Sequence, residues 1–312
     1  MNLERALELA ERGRGTTYPN PVVGAVLVRD GEVVGEGWHA RKGGPHAEVV
    51  ALEAAGEQAR GATMFVTMEP CTHHGSTPPC TDAVLAAGVA KVVAGSLDPN
   101  PEAGGGLELL RAAGVEVELA DSFAARALNQ AWRTWVTLQR PFVTLKLAVT
   151  LDGRVAVPGE RWISGEESRR RVHELRAQVD AVAVGMGTVR ADEPQLTARD
   201  VEADRQPRRL AFGRGSLPGG SDLELRSGDL EEELGALAAE GVQSLLLEGG
   251  PTLAAAVLRA DLVDKLLLFV APRIAGAGPV FAPDLAEPVE LRRLQAERVG
   301  EDILLTAYVH EP

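Results

Sequence analysis

Apolar residues recur at helical spacing from the start of the chain, where Leu3, Ala6, Leu7 and Ala10 share one face and Asn2 is placed to cap it. The period then shortens. Residues 22–29 and 32–38 are β-rich runs on either side of Asp30-Gly31, a dipeptide that favours a tight hairpin turn. Helical and strand patterns alternate from there. Residues 46–60 and 80–87 predict helices, the second ended by Gly88, while 63–68 and 89–95 predict strands and 107–119 a helix followed by a strand. A single long helix is expected over 122–138, cut off at Arg140-Pro141 because proline lacks the N–H that a helix needs. The alternation resumes with strands at 142–149, 180–185, 243–247 and 262–271, and a weaker one at 208–212. Helices are expected over 166–178, 229–240 and 251–259, and the polar tail 289–310 alternates as antiparallel strands would. The pattern predicts two consecutive α/β domains, residues 1–140 and 141–312.

Composition narrows the function. A length of 312 residues with 45% hydrophobic content supports two well-filled cores. The net charge of −13 argues against a nucleic-acid surface, which needs a basic face to displace counterions. A small anionic substrate remains allowed, since two arginines are enough to hold a phosphate. No run approaches the roughly 20 apolar residues that cross a bilayer, and the start of the chain lacks the apolar core of a signal peptide. Two cysteines make no disulfide framework and suit a reducing compartment. A soluble cytoplasmic protein is expected, without a membrane or nucleic-acid partner. A homo-oligomer is compatible with the sequence, which does not set the number of copies.

Both cysteines fall within one stretch, Pro70-Cys71-Thr72-His73-His74-Gly75-Ser76-Thr77-Pro78-Pro79-Cys80, downstream of Pro45-His46-Ala47-Glu48. Two thiolates and one imidazole form a three-ligand zinc set with a fourth position open, as in hydrolytic rather than closed structural centres. Such a zinc ion generates hydroxide at neutral pH, and Glu48, two residues beyond His46, can move protons without binding metal. A His-x-Glu followed by Pro-Cys and a second Cys is the signature of zinc deaminases, usually with two residues between the cysteines; here there are eight. Plainer readings use the same residues. The thiols could be ordinary buried cysteines, or His73 or His74 could close a structural zinc site.

With Asn20-Pro21-Val22-Val23-Gly24 added, these motifs resemble the bifunctional deaminase/reductase family of bacterial riboflavin biosynthesis, in which the eight-residue insert with paired histidines is typical. The resemblance implies a cytidine-deaminase-like, three-layer α/β/α first domain. It also implies that His46, Cys71 and Cys80 bind zinc and that Glu48 is the proton donor. The implied substrate is a diaminopyrimidinone carrying a ribosylamino 5′-phosphate, which loses its 2-amino group. Ser76 stands where the family often has Arg.

Taken alone, the second half contains neither a G-x-G-x-x-G fingerprint nor a P-loop. Its best local feature is Leu247-Glu248-Gly249-Gly250-Pro251-Thr252-Leu253, a strand-to-helix turn that could meet a phosphate or simply connect two elements. Arg169-Arg170-Arg171 reads as a solvated helix face. The family resemblance continues through Leu145-Lys146-Leu147-Ala148, Leu151-Asp152-Gly153-Arg154, Arg161-Trp162-Ile163-Ser164 and Gly187-Thr188-Val189-Arg190-Ala191-Asp192. It implies a dihydrofolate-reductase-like α/β domain that uses NADPH to reduce the ribosyl group to ribityl. By position, Ala148, Trp162, Thr188, Asp192, Gly250, Pro251, Thr252, Leu253, Ala254, Ala255 and Ala256 would line the cofactor. Arg176, Leu196, Arg199 and Glu248 would face the substrate, a guanidinium being suited to the 5′-phosphate. Trp162 could stack or fill core. The segment before Trp162 is about one residue shorter than in the family, Gly213-Arg214-Gly215 replaces its usual Asp, and the stretch on to Glu240 is clipped. The alternative is therefore a deaminase whose second domain only binds ligand or mediates assembly.

Overall fold

Asp30 and Gly31 both take positive φ, 52° and 87°, and join β1 (Gly24–Arg29) to an antiparallel β2 (Glu32–Trp38). This is the turn geometry expected of Asp-Gly, because its backbone twist matches that of the two strands. The computed structural model describes residues 2–75, 77–283 and 285–312; Ser76, the position where the resembled family often has Arg, lies outside them. The chain divides into two units, Met1–Leu138 with Pro312, and Gln139–Glu311.

In the first unit α1 (Asn2–Glu11) precedes the hairpin, and α2 (Ala47–Ala55), β3 (Thr63–Val66), α3 (Cys80–Ala87), β4 (Lys91–Ala94), α4 (Gly106–Ala112) and β5 (Glu116–Leu119) follow in alternation. The sheet order is β2-β1-β3-β4-β5, with β3, β4 and β5 parallel and β1 antiparallel to both neighbours. Ala51 and Leu52 of α2, Val84 of α3 and Leu110 of α4 pack on one face against Leu27, Met64 and Val92. Ala6 and Leu9 of α1 cover Val26 on the other, giving three layers. The expected helix over 46–60 ends early, because Gly56 turns to φ 54° and a short 3-10 turn, Gly56–Ala59, completes the segment.

The helix expected over 122–138 is two helices, α5 (Phe123–Leu128) and α6 (Gln130–Leu138). Asn129 breaks it. Its side-chain amide accepts from the Val22 N–H at 2.9 Å and donates to the Val22 carbonyl at 2.8 Å, replacing backbone partners in a buried position.

The second unit contains β6 (Phe142–Thr150), α7 (Glu166–Gln178), β7 (Ala181–Gly185), α8 (Met186–Asp192), β8 (Arg208–Phe212), β9 (Glu224–Arg226), α9 (Leu230–Ala239), β10 (Ser244–Leu247), α10 (Pro251–Arg259), β11 (Lys265–Ala271), β12 (Arg292–Val299) and β13 (Asp302–Tyr308). The eight strands run in the order β12-β13-β11-β6-β10-β7-β8-β9. Strands β11, β6, β10, β7, β8 and β9 are parallel, and the tail adds β13 and β12 antiparallel at one edge, as its alternation predicts. β10 and β7 read as continuous apolar runs because helices cover both their faces. α8 and β9 have no counterpart in the sequence-based expectation: β9 is three residues long, and α8 follows β7 without a break.

Candidate functional site

His46 occupies the N-cap of α2, with extended backbone (φ −73°, ψ 159°), and Cys80 is the first residue of α3. Cys71 lies in the turn after β3. That turn is held close to α4: a Cβ on Gly106 would stand 1.8 Å from the Pro70 carbonyl oxygen, so only glycine fits. The Cys80 N–H points at Cys71 Sγ (3.4 Å), and Thr81 donates to the Cys71 carbonyl from its backbone and its hydroxyl. His46 Nδ1 stands 3.2 Å from Cys80 Sγ and 3.6 Å from Cys71 Sγ.

Among the described residues, His46, Cys71 and Cys80 alone form a metal-ligating cluster, with their ligand atoms within 4.8 Å of one another. His73 and His74 are outside it, so no histidine of the insert closes the set. Both cysteines are buried and free. A hydrogen bond from Cys80, followed by the proximity of His46, holds the Cys71 thiol down to about 4, and the neighbouring Cys71 sulfur holds Cys80 up. With one imidazole nitrogen and two sulfurs within 4.8 Å of one another, the donor set fits zinc, a tetrahedral ion that takes sulfur and nitrogen ligands. Glu48 is 3% exposed, and burial pushes its carboxyl up to about 7 within the influence of His46 and Cys71. A carboxyl poised near neutrality can both take and return a proton.

The second unit holds a cleft of about 1130 Å³. Ala148, Trp162, Thr188 and Asp192 line it, as do Gly250, Pro251, Thr252 and Leu253 at the start of α10. Arg176, Arg199 and Glu248 line it as well. The structure does not bring Leu196, Ala254, Ala255 or Ala256 to its surface: Ala254 and Ala255 turn into the core from α10, and Leu196 is buried against Val182 and Val184. Trp162 is 51% exposed, with the guanidinium groups of Arg161 and Arg169 5.1 and 5.3 Å from its ring centre, so it is not core.

Sequence reasoning missed three groups. Arg169 and Arg170 both border the cleft, Arg169 half-buried and Arg170 exposed at its rim, and Arg169 also donates to the Ser164 carbonyl (2.6 Å). Lys146 stands 3.7 Å from Glu248, and Arg176 donates to both Glu248 oxygens (2.6 and 3.0 Å). His173 shares the Thr197 carbonyl with Arg176. The period-two pattern of β6 flags Lys146 as a charged residue in an otherwise apolar strand; nothing in the sequence distinguishes Arg169 from Arg171.

A His-Cys-Cys set, its cysteines buried and its histidine half-buried, with a poised carboxyl on an α/β/α sheet defines a zinc-dependent deaminase, here joined to a second α/β unit with a large ligand cleft. Residues 2–96 match the family described as the cytidine and deoxycytidylate deaminase zinc-binding region, and residues 141–305 match the RibD C-terminal domain. The RibD proteins of Aquifex aeolicus (39% identical) and Escherichia coli (40%) each align with 97% of this chain, over 96% and 97% of their own lengths. Acinetobacter baumannii RibD, form 1, superposes with a TM-score of 0.85 at 35% identity, covering 98% of this chain and 97% of that one. A Thermotoga maritima deaminase/reductase gives 0.83 at 37% identity, with the same coverage. The chain belongs to the RibD family, the bifunctional deaminase/reductases of riboflavin biosynthesis. Zinc serves the first unit and NADPH the second. A second unit that only binds ligand or mediates assembly is not favoured, since the reductase match spans nearly all of it. No described helix is long and apolar enough to cross a membrane.

Proposed function

We propose that His46, Cys71 and Cys80 hold the zinc ion and that Glu48 moves the proton in deamination of 2,5-diamino-6-(5-phosphoribosylamino)pyrimidin-4(3H)-one. A zinc ion held by these residues would supply Lewis-acid activation of a water, lowering its pKa from about 15.7 toward about 7. Glu48 is placed to take up a proton from the attacking water and to return it to the departing amine. The observation that carries the reading is the convergence of the three ligand atoms within 4.8 Å beside a buried Glu48.

In the second unit, Ala148, Trp162, Thr188, Asp192 and the Gly250–Leu253 turn would hold NADPH, the N-terminus of α10 offering N–H groups to a phosphate. Bound NADPH supplies the hydride that turns the ribosyl group into ribityl. The substrate meets Arg199, Arg176 and Glu248. Three of the five Arg176 N–H groups are already engaged by Glu248 and Thr197, so the larger share of the 5′-phosphate falls to Arg199. We place domain boundaries at 1–140 and 141–312, and the enzyme in the cytoplasm, without a nucleic-acid or membrane partner; assembly into a homo-oligomer is compatible with this reading. The net charge of −13 supports the absence of a nucleic-acid partner.

The test is one coupled assay on the purified chain, with zinc measured in the same sample. Ammonia release followed by NADPH oxidation is expected; ammonia without NADPH oxidation would overturn the reductase assignment.

A further inference from the structure

The insert between the two cysteines does more than separate them. A zinc ligand that coordinates through Nδ1 must be a neutral imidazole with its proton on Nε2, and that N–H needs an acceptor. In this structure Nδ1 of His46 is the nitrogen that faces both sulfurs, at 3.2 and 3.6 Å. The other nitrogen, Nε2, stands 3.3 Å from Oγ1 of Thr77.

Thr77 reaches that position because of how the insert is folded. Thr72 anchors its start, with its N–H on the Ala103 carbonyl (3.0 Å) and its hydroxyl on the Gly104 carbonyl (3.0 Å). The Gly75 N–H donates to the Thr77 carbonyl (3.2 Å). Pro78 and Pro79 then lead straight into Cys80, with Pro79 as the N-cap of α3.

We propose that Thr77 is a positioning residue for the metal centre: its hydroxyl accepts the His46 Nε2–H, fixing the tautomer and ring orientation that aim Nδ1 at the zinc. The proposal rests on the reading of His46 as a zinc ligand. It gives the insert a chemical task, because the same loop that spaces the two sulfurs also carries the acceptor for the third ligand.

The test is zinc affinity, read by competition with a chromophoric chelator on the full chain, for wild type, Thr77→Val, Thr77→Ser and His46→Ala. Valine keeps the shape of threonine and removes the oxygen. It should weaken zinc binding by about 10–100-fold, whereas serine, which restores the hydroxyl, should bind close to wild type. The cobalt-substituted Thr77→Val protein should show an altered ligand-field spectrum that Thr77→Ser restores, a change that general loosening of a surface loop would not reverse. Wild-type affinity in Thr77→Val together with weak binding in His46→Ala overturns the positioning role and leaves the ligand set standing. Undiminished affinity in His46→Ala overturns the ligand assignment itself, and the proposal with it.

Discussion

Arg176 and Glu248 form a two-pronged ion pair in the second cleft, Nε and Nη2 standing 2.6 and 3.0 Å from the two carboxylate oxygens. Lys146 approaches the same carboxylate to 3.7 Å, so two cations share one anion among side chains no more than 15% exposed. Burial pushes the Glu248 carboxyl up, but Lys146 and Arg176 outweigh it and hold the group below its ordinary value. Lys146 in turn is lowered by its burial, against the pull of Glu248.

Glu248→Gln should therefore cost about 3–5 kcal/mol, because it leaves two buried cations without their counter-charge. Arg176→Lys keeps the charge and loses the fork, so a smaller loss of about 1.5–3 kcal/mol is expected. Urea denaturation followed by circular dichroism measures both. A carboxyl lowered in the folded state stabilises above its unfolded pKa, about 4.3 for Glu, and loses that contribution as pH falls through the folded value. The gap between wild type and Glu248→Gln should be full at neutral pH and close below about pH 4.

Glu48→Gln separates proton transfer from metal binding. The substitution keeps the side chain's size and leaves the three ligands intact, so zinc content should match wild type. Ammonia release should fall by about 10²–10⁴-fold, the usual worth of a positioned acid-base group. NADPH oxidation on the deaminated intermediate should not change. Retained ammonia release with zinc in place would remove Glu48 from the mechanism.

The first site was legible because its chemistry rests on rare residues in fixed order. The only two cysteines of the chain sit in one stretch, and the His46–Glu48 pair precedes them at the start of a helix. What the sequence left open, whether His73 or His74 closes the zinc set, depends on where a loop turns, and that is a tertiary fact. The second site was legible only through resemblance, since its lining is built from common residues whose facing is set by neighbouring elements. Arg169 and Arg171 are identical in composition and two residues apart, yet one meets Trp162 and the other Glu174. The break at Asn129 was hidden for the same reason: its partner, Val22, is 107 residues away.

The proposed place of Trp162 against NADPH can be tested directly. Its ring is half exposed at the cleft, with the Arg161 and Arg169 guanidinium groups close by, and an exposed aromatic ring lining a cleft can serve as a stacking surface. Replacing it with alanine should raise the KM for NADPH by about 2–10-fold, corresponding to roughly 0.5–1.5 kcal/mol of aromatic contact. Phenylalanine should recover much of that loss, and the KM for the pyrimidine should stay near wild type. A change confined to the pyrimidine KM would assign Trp162 to the other ligand.

Asp152 ties together the two loops that form one wall of the cleft. Its carboxylate accepts from the Thr150 hydroxyl (2.6 Å) and from the backbone N–H groups of Ala275 (3.0 Å) and Gly276 (2.8 Å). Beyond that clasp, Gly278 approaches so closely that a Cβ would stand 2.2 Å from the Ala156 carbonyl oxygen; Ala156 and Pro279 then face the cleft. The Thr150 hydroxyl, followed by the two amides, holds the Asp152 carboxyl well below the usual carboxylate range. A lowered carboxyl contributes above its unfolded pKa, about 3.9 for Asp, and the contribution is lost as pH falls toward the folded value. Asp152→Asn should accordingly lower Tm near neutral pH and raise the KM for NADPH as the wall loosens. The Tm difference from wild type should narrow steadily below about pH 4, as measured by thermal melts across a pH series. A difference that stays constant through that range would mean that the shape of the Asp152 side chain, rather than its charge, holds the two loops together.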